Sequence, residues 1–317
     1  MEQSFVAWAK MRAKRLPQVK LGIGDDAAVL TVATHGGLPS DQVVTTDSLM
    51  DGVHFQLANT DPRRIGRKLV NVNLSDLAAM GAEPDAVFLS LCLPLNPPKI
   101  TTDALAAEIY EGVCEACESW GVALAGGDTN CWSGPLVLHL TAIGFVVDEH
   151  VWTRQGAQPD DLIVVTGPLG GSLEGKHLDF APRFDIVRKL RGVVPVHAAM
   201  DISDGLSVDL LRMCDASNCG AILELEKIPV TEAARRAAAQ SGKTAVQHAL
   251  SDGEDFELLL AIAPQDLAAL VDAIGAEQTL VCGSFTSRTG LWAKDGGKIR
   301  QLTTSGYIHG QMPVDPP

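Results

Sequence analysis

Basic residues are scarce in this chain of 317 residues: 25 Lys and Arg face 39 Asp and Glu, a formal net charge of −14. Nucleic-acid backbones are held by clustered cations, so this shortage argues against a nucleic-acid partner. Long apolar runs are also missing. The longest, Ala86 to Leu95, is about half of the ~20 residues needed to cross a bilayer, so no membrane span is expected. Charges interrupt the apolar residues of Met1 to Arg15, which therefore reads as an amphipathic helix rather than a secretory signal. The seven cysteines are few and odd in number, which disfavours a disulfide framework and fits a reducing cytoplasm. Cys114 and Cys117 form a CxxC pair, but it sits in a helical pattern with no second pair at zinc-site spacing. Low-complexity tracts and short-period repeats are absent, so the whole chain is expected to fold.

What is present is an ordinary globular composition, 46% hydrophobic and 20% charged, with length enough for two domains. Apolar runs predict strands at Ala27–Val32, Gln42–Thr46, Ala86–Leu93, Val122–Ala125 and Leu136–Val147. Asp61-Pro62 marks the start of a helix that ends near Gly81, and a second helix is expected from Thr102 to Gly121. A polar stretch containing Gly and Pro, Asp148 to Asp161, places a domain boundary near residue 150, giving domains of residues 1–149 and 150–317. Beyond it, strands are predicted at Leu162–Thr166, Ala198–Ile202, Ala221–Leu225, Glu257–Ala263 and Thr279–Cys282. Helices are predicted at Ser207–Ser217, Thr231–Ser241 and Pro264–Ile274.

The chemistry concentrates in aspartates placed where strands end or helices begin: Asp25-Asp26 after Gly22-Ile-Gly, Asp47 after Thr45-Thr46, Asp128 in Gly126-Gly-Asp-Thr129, and Asp201 and Asp204 in Asp-Ile-Ser-Asp-Gly205. Taken singly, each reads as a turn or N-cap aspartate. Asp76 differs, because steps of four, three and four from Ile65 through Leu69 and Val72 put it on the apolar stripe of its helix. A buried carboxylate needs a cation or several donors, and Arg67 and Lys68 are not three or four residues from it. A divalent metal is the simpler partner. Magnesium suits aspartates and threonines on short glycine-rich turns, whereas the calcium EF-hand loop and the Cys/His clusters of zinc are both missing. An acidic protein that recruits Mg²⁺ ions can hold ATP in spite of its own charge. Gly170 to His177 matches the GxxxxGK spacing of a phosphate loop, but His177 stands where Ser or Thr should be and the preceding strand ends too early.

In this order the motifs resemble the thiamine-monophosphate kinases, within the aminoimidazole ribonucleotide synthetase superfamily, over nearly the whole chain. The carriers are Gly22 to Ala28, Thr45-Thr-Asp47 with Asp51-Gly-Val-His-Phe55, Asn73 to Gly81, Gly126-Gly-Asp-Thr129, Asp201 to Leu206, and Ser251-Asp-Gly-Glu-Asp-Phe-Glu257. The resemblance implies an α/β (α+β) fold of two domains, the N-terminal one binding ATP and Mg²⁺ and forming a barrel across a homodimer with its sheet. It implies phosphorylation of thiamine monophosphate to thiamine diphosphate by ATP, with several Mg²⁺ ions, direct in-line transfer and no protein nucleophile. Asp26, Thr45, Thr46, Asp47, Asp76, Asp128 and Asp201 would ligate metal, with Asp204 holding a further ion. Tyr110, Gly127, Asp128, Arg154 and Ser203 would contact ATP. His54, Glu254 and Tyr307 would contact thiamine monophosphate, through an aromatic stacked on the thiazolium and a carboxylate on the aminopyrimidine. The rivals are another ATP-using superfamily member and a non-catalytic sensor. Selenophosphate synthetase is disfavoured, because no cysteine precedes Cys92. Two departures stand out: Asp160-Asp161 replaces the usual Gly-Asp, and Gly170 to Ala199 is compressed.

Overall fold

Residues 137–147 are almost all apolar, and in the computed structural model this stretch is a strand along which buried and half-buried residues alternate, Leu138, Leu140, Ala142 and Val146 lying on the buried face. The structure describes Trp8, Lys10, Met11 and residues 17–35, 38–147 and 150–307, so most of the expected Met1–Arg15 helix lies outside the described residues. Two compact units are formed. One comprises Asp26–Val151 with Gly175–Val187; the other comprises Met1–Asp25, Trp152–Glu174 and Arg188–Pro317.

In chain order the strands are β1 (Val19–Leu21), β2 (Ala28–His35), β3 (Leu38–Met50), β4 (Glu83–Pro94), β5 (Ala123–Trp132), β6 (Val137–Val147), β7 (Leu162–Val165), β8 (Ala198–Asp201), β9 (Gly220–Glu224), β10 (Leu258–Ile262), β11 (Leu280–Thr286), β12 (Gly290–Asp295) and β13 (Lys298–Gln301). The helices are α1 (Pro62–Ala79), α2 (Thr102–Trp120), α3 (Lys176–Asp179), α4 (Phe184–Leu190), α5 (Leu206–Ser217), α6 (Glu232–Ser241), α7 (Ala245–Ser251) and α8 (Leu267–Ile274).

In the first unit β2, β3, β6, β4 and β5 lie side by side in that order, antiparallel except for β4 with β5. The helices α1 and α2 pack together, and α1 packs on β3 and β6. Asp61 caps α1 by accepting from Arg63 N at 3.0 Å, and Gly121 ends α2 in the left-handed conformation with φ 68°. The two helices cross at glycines: a Cβ on Gly66 would stand 2.2 Å from Ile109 O, and one on Gly112 2.1 Å from Arg63 O. Arg63 and Arg67 then reach across to Glu115 at 3.0 and 2.6 Å. The opposite sheet face carries exposed Thr46, Ser48 and Phe88.

The compressed stretch forms the short helix α3 and the start of α4. It packs on α1 through Asn71, whose amide donates to Phe180 O at 2.8 Å and accepts from Trp120 Nε1 at 3.1 Å. Phe184 meets the Trp120 ring edge-on, centroids 5.5 Å apart.

The second unit holds a seven-stranded sheet in the order β13-β12-β9-β11-β7-β10-β8, antiparallel except for β9 with β12. Its strand β10, between β7 and the edge strand β8, is buried at all five residues. Leu206, Leu210 and Met213 of α5 join the same core, where each fully buried Leu or Met contributes about 2 kcal/mol.

Candidate active site

Side chains alternate across a strand, so the position of each residue on β3 decides what it meets. Val43, Thr45 and Leu49 are buried on the face that α1 covers, and Asp47 shares their parity. Asp47 N donates to Asn73 Oδ1 at 3.1 Å, and Asn73 is anchored in turn by donating to Leu69 O at 3.0 Å. Three residues beyond Asn73, close to one helical turn, stands Asp76, whose Oδ2 accepts from Thr45 Oγ1 at 2.6 Å. The Thr45 hydroxyl also lies 3.3 Å from Asp26 O. A carboxylate oxygen of Asp26, a residue only 9% exposed, is within 4.8 Å of one of Asp76. The loop before β2, the middle of β3 and the last turn of α1 thus gather Asp26, Thr45, Asp47 and Asp76.

Two carboxylates at that separation repel by about 3 kcal/mol at an effective dielectric of about 20, and a cation between them reverses the sign. The donors are all oxygen, with no thiolate or imidazole. Mg²⁺ takes six oxygens at about 2.1 Å, so oxygens around one ion stand no more than roughly 4.2 Å apart, and carboxylates within 4.8 Å of one another would need little movement to share it. The residues fit a hard divalent cation.

Thr46 and Asp128 are placed elsewhere. Thr46 points to the opposite face, where its hydroxyl lies 2.9 Å from both His139 Nε2 and Thr141 Oγ1. Gly126-Gly-Asp-Thr129 is not the expected turn but the middle of β5, an exposed edge strand. Its glycines serve close approach instead of turning: a Cβ on Gly127 would stand 1.7 Å from Leu89 O. In register, Asp128 falls in a row with Ser90, His139 and Ser48, whereas Asp47 is in the next row with Leu140, Leu89 and Gly127. At about 4.8 Å per strand, the three strand steps from β3 to β5 separate Asp128 from Asp47 by roughly 14 Å within one chain. Tyr110 is 48% exposed on α2.

His54 lies in the loop after β3. Its Nδ1 accepts from Met50 N at 3.0 Å, so the neutral ring carries its proton on Nε2. His54 O accepts from Nζ of Lys68, a fully buried lysine, at 2.9 Å. Sequence reasoning named Lys68 only as a cation of the same helix that is not spaced to pair with Asp76. Its place one residue before Leu69 and three after Ile65 was the signal that it points inward.

In the second unit Asp201 ends β8, 2% exposed. Ser203, Asp204, Glu254 and Tyr307 come together through the backbone: Glu254 N donates to Ser203 O at 2.7 Å and Tyr307 N to Asp204 O at 3.0 Å. Asp204 is paired with Arg212 at 2.5 Å, and Arg212 also holds Asp209 at 2.8 Å. Burial, and then the charge of Asp204, push the Asp209 carboxyl up to about 7. Arg154 is fixed by Asp25, whose carboxylate accepts from Arg154 N at 3.2 Å. The Asp25-Asp26 doublet therefore divides its work, a role for Asp25 that the sequence reading did not assign.

Residues 24–146 match the family model for the AIR synthase related protein N-terminal domain, and residues 157–291 the one for its C-terminal domain. A thiamine-monophosphate kinase of Rhodopirellula baltica is 43% identical, over 99% of each chain. The chain belongs to the thiamine-monophosphate kinase family. The crystal structure of the thiamine-monophosphate kinase from Stenotrophomonas maltophilia K279a is similar with a TM-score of 0.69 at 31% identity, covering 92% of this chain and 94% of that one. AaThiL, solved in complex with AMPPCP and TMP, is similar with a TM-score of 0.80 at 25% identity over 97% of this chain and 96% of its own.

Against the thiamine-monophosphate kinase pattern, Asp160 stands where glycine is usual, and its φ of 77° gives the reason for that glycine. Asp161 accepts from His197 Nδ1 at 2.8 Å and from Gln158 N at 2.8 Å, a structural task. The phosphate-loop lookalike is filled from within: Gly170 N donates to Asp255 and Gly171 N to Asp252 at 2.9 and 2.8 Å. Among the described residues no helix is long and apolar enough to cross a membrane.

Proposed function

We propose that this protein transfers the γ-phosphate of ATP to thiamine monophosphate, forming thiamine diphosphate and ADP in the cytoplasm. The observation that carries this reading is the all-oxygen group of Asp26, Thr45 and Asp76 in a chain of this family, with Asp47 on the same strand face. The AMPPCP and TMP bound to AaThiL support the choice of both substrates.

Asp26, Thr45, Asp47 and Asp76 would hold Mg²⁺, and the family resemblance adds Asp201 and Asp204 as metal ligands. Bound there, Mg²⁺ supplies charge neutralisation of two phosphates that otherwise repel. The acceptor phosphate is mostly dianionic at neutral pH, its second pKa being near ~6, so no side chain need remove a proton. His54 offers its Nε2–H, Glu254 its carboxylate to the aminopyrimidine, and Tyr307 its ring to the thiazolium. Arg154, Ser203, Tyr110 and Gly127 position the nucleotide. Orientation and charge complementarity then suffice for direct in-line transfer.

A homodimer belongs to this reading. The sheet face of Thr46, Ser48 and Phe88 and the exposed edge β5 are surfaces for a second copy, with a shared barrel as the closed form. One ion cannot touch Asp47 and Asp128 of the same chain across roughly 14 Å of sheet, so Asp128 serves the partner's site. Mixing Asp47→Asn and Asp128→Asn protomers should restore part of the activity that each variant lacks alone; no recovery would confine each site to one chain. The reaction itself is tested by incubating the protein with Mg-ATP and thiamine monophosphate and measuring thiamine diphosphate. Absence of product overturns the assignment. Inversion is expected at an isotopically chiral γ-phosphorus, and retention would replace direct transfer by a phosphoenzyme.

A further inference from the structure

Glu254 and Phe256 both adopt φ 51°, a left-handed conformation that costs a side-chain-bearing residue about 1–2 kcal/mol, and they flank the fully buried Asp255. Two such residues in a three-residue span persist only where the surroundings overdetermine the backbone. Those surroundings are the Gly170-Gly171-Ser172 turn. Gly170 N donates to both oxygens of Asp255, at 2.9 and 3.1 Å; Gly171 N donates to Asp252 Oδ2 at 2.8 Å; and Ser172 Oγ donates to Gly253 O at 2.6 Å. Asp252 is oriented from its other side by His248 Nδ1 at 2.9 Å, and the ring's Nε2 lies 2.7 Å from Ser241 Oγ. A carboxylate only accepts, so Nδ1 carries the proton and, in the neutral ring, Ser241 donates to Nε2. The glycines have a steric reason as well. Both have positive φ, and a Cβ on Gly171 would stand 2.5 Å from Ala234 N.

We infer that this glycine-rich turn is a cradle for the acidic 252–256 loop, in which the carboxylates of Asp252 and Asp255 occupy amides of the kind that hold phosphate elsewhere, and that it acts as a positioning device for Glu254 in recognition of the acceptor. The inference rests on the reading above that Glu254 contacts thiamine monophosphate. In this role Asp252, Asp255 and Ser172 act through the backbone of Gly253 and Glu254, the latter fixed by its N–H on Ser203 O.

The test is steady-state kinetics with both substrates, on variants whose fold is checked by circular dichroism and thermal melting. Ser172→Ala removes one hydroxyl and keeps the packing; it should raise KM for thiamine monophosphate about 10-fold, the weight of one hydrogen bond, and leave KM for ATP within about 3-fold. Asp255→Ala should raise the same KM about 30-fold or more, and Asp255→Asn should restore most of it, because an amide oxygen still accepts from Gly170 N. In a Glu254→Gln background Ser172→Ala should add almost nothing, since what it positions has already been altered. If Asp255→Ala does not fold, the Ser172 and Glu254 pair decides alone. A large effect of Glu254→Gln combined with an additive or unselective effect of Ser172→Ala overturns the cradle only. A silent Glu254→Gln overturns the reading of Glu254 together with the positioning role that rests on it.

Discussion

Asp76 and Glu254 are carboxylates of the same charge delivered by opposite kinds of backbone. Asp76 sits on a regular eighteen-residue helix, and its neighbours Thr45 and Asp47 share one face of a thirteen-residue strand. Glu254 sits on irregular chain with φ 51°, held by hydrogen bonds from a second loop. Repeating structure fixes ligand positions through many backbone bonds, which suits atoms that must share an ion within a fraction of an ångström. The loop fixes a single residue at the expense of local strain, which suits a contact that discriminates one acceptor from another.

The largest effect that separates the two regions is expected at Asp47. Asp47→Asn keeps the shape and the backbone bond to Asn73 but removes a ligand charge, so turnover should fall by about 10³-fold or more with the thermal melt unchanged. Near-normal turnover would remove Asp47 from the metal set. A more indirect break is Gly66→Ala. Its methyl would meet Ile109 O at 2.2 Å, forcing apart the helix pair that aims Asp76. A loss of about 3 kcal/mol in chemical denaturation is expected, with reduced Mg²⁺ affinity in titration calorimetry. A variant as stable as the parent would show that the helices separate freely and that their crossing does not aim the ligand.

The regular region was also the more legible in sequence. Asp61-Pro62 and Gly121 mark the helix ends, and a count of fours and threes put Asp76 on the side toward β3, where it is half-buried rather than buried and meets Thr45. The same arithmetic, applied to β3, separates Thr46 from Thr45 and Asp47, although motif adjacency had grouped all three. Gly126-Gly127 looked like a turn because glycine is ambiguous: it serves positive φ in one place and close strand contact in another, and only the Leu89 carbonyl decides between them. The helix α7 went unread although Thr244 and Gln247 form a capping box, a local signal in plain view. The cradle of Asp252 and Asp255 was not readable at all, since partners more than 80 residues apart leave no periodic trace.

Two left-handed residues give the smallest and most discriminating test. Asp160 with φ 77° is exposed on a turn, whereas Glu254 with φ 51° is held in its loop. Glycine relieves the strain in both folded conformations but adds freedom to the unfolded chain, so each of Asp160→Gly and Glu254→Gly should stabilise by no more than about 1 kcal/mol. That corresponds to a rise of roughly 2 °C in Tm for a protein of this size. The two variants part company in kinetics. Asp160→Gly should leave both KM values as they were, whereas Glu254→Gly should raise KM for thiamine monophosphate about 10-fold or more. A gain in stability coupled to a loss of acceptor recognition at Glu254 alone shows that a strained position is kept because its side chain serves the acceptor. Equal behaviour of the two would make the conformation of Glu254 an accident of its loop.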